Sequence, residues 1–397
     1  MKCYPWTLAL LGAGLVSLPS VAKAEEKPSS VLTALGATTI SGYVDTSAEW
    51  NPGTGHTFLP PYAFSAGKSD GFNLDVVKLT IEHPVDAADA WGAGYKVDLI
   101  AGPDANALAT QSSHVAGDFG VKQAYVALHA PVGNGLDFKL GVWDTIIGYE
   151  VFEAGNNPNF TRSYGYTMEP TTHTGLQTTY TFCESFSATF GIANSVGPII
   201  NDKPFFHGQA ESSKTYMGSL NFTAPTNAGV LAGSTLTACV INGQNPFLVG
   251  DGNETSWYLG GTVNTPITGL KAGAAFDYLD VHDSHGETWA LGGYLAFQAT
   301  EKLSLYGRAE YLRDRGDQKL FAFRTTDPDT GDVTVTSTAP DKVLALTGTV
   351  QYDLWKNVLT RLEVRWDHSL SGQSVWGDPG ALVKNEVLLA ANVIYKF

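Results

Sequence analysis

The 397-residue chain carries 24 Lys and Arg residues against 39 Asp and Glu residues, a formal net charge of −15. So acidic a balance argues against nucleic-acid binding. The chain has only three Cys residues, too few to form a disulfide scaffold.

The first residues predict export from the cytoplasm. Lys2 precedes an apolar run over residues 6–18, and Ala22-Lys23-Ala24 has the small-x-small pattern of a cleavage site. We therefore expect a signal peptide over residues 1–24, followed by a short periplasmic N-terminal segment over residues 25–38. Cleavage would remove Lys2 and Lys23 and leave 22 basic against 39 acidic residues, a net charge of −17.

The remainder, residues 39–397, has the pattern of membrane-spanning strands. After residue 24 no stretch reaches the ~20 apolar residues of a transmembrane helix. Segments of about ten residues with alternating apolar and polar side chains, separated by turn residues, are instead typical of a transmembrane barrel. Sixteen segments are predicted: 39–50, 72–83, 91–100, 120–130, 136–147, 173–182, 186–195, 213–223, 230–241, 255–264, 270–280, 287–298, 302–312, 342–353, 357–367 and 384–397. The expected fold is all-β, a closed antiparallel β-barrel with short periplasmic turns and long outer loops.

The alternation also assigns faces to the strands. In the fifteenth segment Leu362 and Val364 share one face, and Arg365 and Asp367 share the other. A barrel would turn the charged face toward a water-filled lumen, whereas a soluble sandwich would turn it outward. Strand number, loop lengths and the signal peptide favour the barrel. The charges that we assign to the lumen are Lys96, Asp98, Lys139, Arg308, Glu310, Arg361, Glu363 and Arg365.

The last segment ends on an aromatic residue, Phe397, with Tyr395 on the same face. We expect this strand to pair with the first strand and leave no open edge. Tyr395 and Phe397 would then belong to an aromatic girdle at the periplasmic interface with outer-membrane lipid. A C-terminal strand ending in Phe also resembles the signal that the barrel-assembly machinery reads.

Several motifs between residues 98 and 180 carry a family resemblance. They are "DLIAGPDA", "QAYV", "PVGNG", "GVWDTIIGYE", "TRSYGY" and "HTGLQTTY", in consecutive order. Together they resemble the beta-barrel porin-2 (OmpL-like) family. The resemblance implies a bacterial outer-membrane channel for passive diffusion of small hydrophilic solutes and ions, without a cofactor. Strand number leads to the same expectation, because barrels of 16 to 18 strands leave an aqueous path.

The third outer connection, residues 149–172, is the candidate constriction. It is long and rich in charged and aromatic residues, and in familiar sixteen-stranded porins the third outer loop folds into the lumen. Our hypothesis is that Glu150, Glu153 and Glu169 face wall cations such as Lys96, Lys139, Arg361 or Arg365. Alternatively, the loop lies on the outer rim and Arg162 pairs with Glu153. The candidate constriction residues are Tyr149, Glu150, Glu153, Arg162 and Glu169.

Other functions have weaker support in the sequence. The cluster Asp280, His282, Asp283, His285 and Glu287 has metal-ligating side chains, but a polar surface turn explains it equally well. The chain lacks the His-Glu-x-x-His, Gly-x-Ser-x-Gly and Walker motifs, so we do not expect an enzyme. A channel specific for anions or sugars, or a structural or adhesive barrel without transport, remains an alternative. A homotrimer is expected by analogy alone.

Two further expectations follow from charge and cysteine positions. The eight outer connections carry a net charge of −12, which predicts a mild cation preference. Cys183 falls at a periplasmic turn and Cys239 lies within the ninth strand, so we expect both to be free thiols.

Overall fold

A computed structural model describes residues 38–53, 57–60, 66–86, 90–107, 117–203, 212–245, 252–282, 287–315, 323–326, 333–337 and 340–397. The predicted signal peptide lies outside the described residues, as does all but residue 38 of the segment that follows it. No helix within these ranges is long and apolar enough to cross a membrane.

Sixteen antiparallel strands form one closed barrel, and two further strands form a separate hairpin. The strands are β1 (Thr39–Trp50), β2 (Gly71–His83), β3 (Gly92–Ala101), β4 (Phe119–Ala130), β5 (Leu136–Asp144), β6 (Thr172–Cys183), β7 (Phe186–Ala193), β8 (Thr215–Thr223), β9 (Thr235–Gln244), β10 (Asn253–Asn264), β11 (Leu270–Val281), β12 (Glu287–Gln298), β13 (Leu303–Arg315), β14 (Phe323–Thr326), β15 (Val333–Ser337), β16 (Lys342–Trp355), β17 (Val358–Ser369) and β18 (Asn385–Lys396). The hairpin β14–β15 belongs to the connection between β13 and β16.

The closed sixteen-stranded antiparallel barrel predicted from the sequence is confirmed. Several strand ends differ from the prediction by one to five residues, and two of them show why. The fifth strand stops at Asp144 rather than residue 147, because the chain turns inward there and Ile147 packs with buried side chains of β7, β8 and β9. The ninth strand starts at Thr235 rather than residue 230, after a turn with positive φ at Gly229 and Gly233.

The barrel turns its apolar side chains outward and its charges inward. On β17, Leu362 and Val364 are 65% and 52% exposed, whereas Arg365 and Asp367 are fully buried. In a soluble sandwich the charged face would point outward and the apolar face inward, which is the reverse of this arrangement. The observed arrangement fits a wall that faces lipid outside and water inside.

The last strand closes the barrel against the first. Residues 43–50 of β1 pair with residues 389–396 of β18, and Gly42 and Phe397 exchange two backbone hydrogen bonds of 3.0 and 2.9 Å. A Cβ at Gly42 would lie 2.7 Å from the Phe397 ring, so glycine makes room for the terminal aromatic side chain. Tyr395 and Phe397 are both about half exposed on the outer surface.

Short helices occur only in connections among the described residues. They are the α-helices α1 (Asp104–Ala107) and α2 (Tyr164–Met168) and the 3-10 turns Ala66–Lys68, Ala154–Asn156 and Gly229–Leu231. The Ser163 side chain caps α2 by accepting a hydrogen bond of 3.0 Å from the Tyr166 amide. Helix α2 and the turn Ala154–Asn156 both belong to the connection between β5 and β6, residues 145–171, which we call the inner loop.

Candidate functional site

The inner loop crosses the interior of the barrel. Strands β5 and β13 are eight strands apart in either direction around the ring, so they lie on opposite sides. Arg308 of β13 nevertheless contacts the loop that leaves β5: its Nη1 lies 2.8 Å from Glu150 Oε1 and 2.7 Å from the Thr161 carbonyl. These contacts place the loop within the lumen rather than on the outer rim.

Glu363 of β17 binds the tip of the inner loop through its backbone. Its carboxylate accepts from the Phe160 amide at 2.6 Å, the Thr161 amide at 2.9 Å and the Thr161 hydroxyl at 2.5 Å. It also accepts from Thr349 at 2.7 Å on the neighbouring strand. An ionised acceptor shared by four donors is a strong anchor.

The arginines of β17 hold the same loop by its carbonyl groups. Arg361 donates to the carbonyls of Ala154 and Asn157 at 2.7 and 2.6 Å. Arg365 donates to the Arg162 carbonyl at 2.7 Å and pairs with Asp367. Both guanidinium groups are therefore committed to the protein rather than to the open lumen.

Glu153 attaches the loop to the wall at β2 and β4. It forms an ion pair with Lys78 of β2 and lies 3.6 Å from Lys122 Nζ of β4. Burial by itself would raise the pKa of Glu153, but Lys122 and Lys78 outweigh it and hold that pKa well below its usual range. Glu153 stays ionised as a result.

Glu169 has a carboxyl neighbour, Asp277 of β11, instead of a cation. Burial and the adjacent Asp277 raise the pKa of Glu169 well above its usual range, and the two side chains are hydrogen-bonded. Glycines leave room for both groups, because a Cβ at Gly148 would lie 2.5 Å from Glu169 Oε2 and one at Gly165 would collide with Asp277 Oδ2. The raised pKa favours a protonated Glu169 that donates to the Asp277 carboxylate.

Apolar contacts hold the loop on several sides. Tyr164 and Met168 pack in a cluster with Leu279 and Trp376, which are both buried. Phe152 and Tyr166 belong to a second cluster on β1, β2 and β3, and Ile147 to a third on β7, β8 and β9. Tyr149 stacks on Tyr294 with 4.0 Å between ring centroids.

The residues proposed from the sequence are placed as follows. Tyr149, Glu150, Glu153, Arg162 and Glu169 all lie inside the barrel, but their partners differ from our hypothesis. Arg162 is buried and donates to the carbonyls of Phe160 and Phe152 at 2.7 and 2.5 Å. Lys96 lies 4.0 Å from Glu82, and Lys139 lies over the Tyr125 ring, so the partners described for both are on the wall.

The remaining predicted lumen charges make their contacts on the wall or with the loop. Asp98 accepts from Thr80 and Gln123, and Glu310 accepts from the Tyr164 amide at 2.6 Å. Sequence reasoning missed Lys122 and Trp376 as loop contacts. Lys122 shares the parity of the exposed residues Val126 and Leu128 and faces inward only because the β3–β4 register shifts there, so alternation could not have indicated it. Trp376 lies in an irregular connection without such a signal.

The structure bears on two further predictions from the sequence, the free thiols and the candidate metal cluster. Cys183 is exposed and Cys239 is buried, and both are free. Asp283 and His285 lie outside the described residues. Within the described ranges, no group of three or more His, Cys, Asp or Glu residues is arranged to hold a metal ion.

Known proteins support this architecture. The family model described as "Putative beta-barrel porin-2, OmpL-like" matches residues 37–397. No curated protein matches the chain.

Solved structures with the same fold include three outer-membrane proteins of low sequence identity. OprB of Pseudomonas putida has a TM-score of 0.58 at 12% identity, covering 93% of this chain and 96% of its own. An anion-selective porin from Comamonas acidovorans has a TM-score of 0.57 at 13% identity, with 91% and 99% coverage. OmpT of Vibrio cholerae in its trimer form has a TM-score of 0.56 at 14% identity, with 91% and 99% coverage.

Proposed function

This chain belongs to the beta-barrel porin-2 (OmpL-like) family, and we propose that it forms an outer-membrane channel for passive diffusion of small hydrophilic solutes and ions. One observation carries the proposal: a closed barrel of sixteen strands has an apolar outside and a charged, polar inside. A barrel of this width encloses more space than wall side chains fill. The buried arginines and carboxylates described above bond to the loop or to each other, so we assign them no catalytic role.

We propose that the inner loop constricts this channel. Its anchors on β13 and β17 lie eight and six strands from β5, so the loop is held across the lumen, and its anchor on β2 lies three strands from β5. Replacing residues 153–166 by a Gly-Ser linker of equal length removes the Glu153 ion pair and the side chains that fix the conformation of the loop, while Glu150 and the chain connection are kept. The linker variant should show a severalfold higher single-channel conductance than the intact protein.

A folding control and two alternative results decide how the linker experiment is interpreted. The heat-dependent gel mobility of the variant shows whether the barrel still folds. Equal conductance in a folded variant would show that the loop does not limit flow. The absence of any conductance in the intact protein would instead favour a structural or adhesive barrel.

Export and assembly complete the proposed function. We propose that residues 1–24 are removed as a signal peptide, that the strand ending at Phe397 is read by the barrel-assembly machinery, and that the barrel forms a homotrimer in outer-membrane lipid. The OmpT structure in its trimer form supports the last step. A mature N-terminus at Glu25 by mass spectrometry, and a native mass three times that of one chain, are the expected results.

A further inference from the structure

Four adjacent strands of the barrel carry no Asp, Glu, Lys or Arg. They are β6, β7, β8 and β9, which together form one quarter of the ring. Their outward residues are apolar and exposed, as shown by Phe190, Leu220 and Leu236. The inward residues between them are mostly hydroxyls and amides, including Gln177, Thr179, Thr189, Asn221, Thr235 and Thr237.

This uncharged wall contrasts with the rest of the lumen. The charges of β2, β4, β13 and β17 bind the inner loop or one another, as described above. On the uncharged wall, hydroxyls bond to close neighbours: Thr179 lies 3.0 Å from Thr189, and Thr237 donates to Asn221 at 3.0 Å. Half-exposed hydroxyls of this kind still have capacity to donate and accept.

A cavity of about 420 Å³ lies beside the inner loop, where β9 at the edge of the uncharged wall, together with β10, β12, β13, β16 and β17, lines it. This volume falls within the roughly 300–1,000 Å³ of small-ligand pockets. Its lining includes Tyr149, Thr237, Tyr258, Thr262 and Tyr306. Three tyrosine rings therefore stand beside a row of neutral hydroxyls.

One charged residue, Arg361, is part of the described cavity lining, and its charge is not presented to the cavity. Arg361 is only 2% exposed, and its three guanidinium nitrogens donate to Gln351, Ala154 and Asn157. An anion in the cavity would lose water and find at most the two remaining N–H groups of this buried guanidinium, and a cation would meet no carboxylate in the described lining.

We propose that this cavity is a transit subsite for neutral, hydroxyl-rich solutes of small-sugar size. Hydroxyl side chains both donate and accept, so they replace the water that a sugar gives up on entry. Tyrosine rings offer a flat apolar surface to the C–H face of a sugar and a hydroxyl to its rim. The proposal rests on the channel function proposed above and names the solute class that the channel favours.

Ion current through the reconstituted channel tests the subsite. A neutral disaccharide added at constant KCl should lower the current saturably, beyond its effect on bulk conductivity. Gluconate and protonated glucosamine, at the same concentration, should block severalfold more weakly. The variant Tyr306→Ala should raise the half-blocking disaccharide concentration severalfold.

A matched control is the inward tyrosine Tyr125 of β4, which lies beside Lys139 and away from the cavity. Tyr125→Ala should keep the wild-type block, and the smaller change Thr237→Val, which removes one lining hydroxyl, should weaken it. Equal block by the three solutes, or equal effects of the two tyrosine variants, would refute the subsite. Stronger block by gluconate would assign the cavity to anions instead. If the reconstituted protein shows no conductance at all, the channel function itself is refuted.

Discussion

Single residues decide whether the inner loop stays in place, and Glu363 is the clearest case. We predict that Glu363→Gln loosens the loop, because an amide cannot accept from all four donors that the carboxylate serves. Hydrogen bonds to a charged group contribute about 1.5–3 kcal/mol each. Faster proteolysis of the loop in detergent and higher open-channel noise are the expected measurements.

The control for this prediction is Glu82→Gln, which makes the same change to an inward glutamate. Glu82 lies 4.0 Å from Lys96 on the wall, and its described ion pair does not involve the loop. It should behave as wild type. Equal proteolysis in the two variants would mean that Glu363 is not an anchor.

The two cysteines should react differently with a maleimide. Cys183 is exposed at the turn before β7, whereas Cys239 is buried and its Sγ lies 3.0 Å from the Ile146 carbonyl beneath the inner loop. The native mature protein should gain one label, and the denatured protein two. Mass spectrometry of the intact chain measures this, and rapid double labelling of the native protein would show that the loop does not cover Cys239.

At the scale of elements, the strands were predictable and the partners of the loop were not. Alternation between neighbouring residues is a local signal, so all sixteen barrel strands could be located from the sequence. The partners of Glu153 are Lys78 and Lys122, on β2 and β4, and they meet Glu153 only because the loop folds into the lumen. Our hypothesis paired the loop glutamates with wall cations such as Lys96, Lys139, Arg361 or Arg365. Alternation along a strand shows which face of the sheet a residue lies on, but not its height along the barrel axis or its neighbours.

The end of the inner loop should respond to alkaline pH. Because the pKa of Glu169 is raised, its protonated contact with Asp277 persists at pH values where an ordinary glutamate is ionised and is lost as pH rises through that raised pKa. Two adjacent carboxylates then repel each other and push the end of the loop from β11. Single-channel conductance should therefore rise from neutral to alkaline pH.

Glu169→Gln should remove this alkaline response, since a glutamine keeps the hydrogen bond and cannot ionise. Glu184→Gln, in the exposed turn between β6 and β7, should retain the response. A rise in conductance that persists in Glu169→Gln would assign the pH effect to another group.

At the scale of the whole molecule, charge is distributed unevenly between the lumen and the outer mouth. The buried cations Lys78, Lys122, Arg308 and Arg365 are paired with carboxylates, so they offer ions little net charge. Of the net −17 predicted for the mature chain, the outer connections carry −12, and −10 remains when the −2 of residues 149–172, which lie in the lumen, is left out. The field that an approaching ion meets is therefore mainly that of the mouth.

This distribution predicts a mild preference for cations. Charges at the mouth act through solvent and are screened within about 8 Å at physiological ionic strength, so they enrich cations at the entrance without strict selection. In a KCl gradient the reversal potential should show modest cation selectivity that fades as total salt rises. Strong anion selectivity would contradict this, because it requires lumen cations to be free of the carboxylates and carbonyls that hold them here.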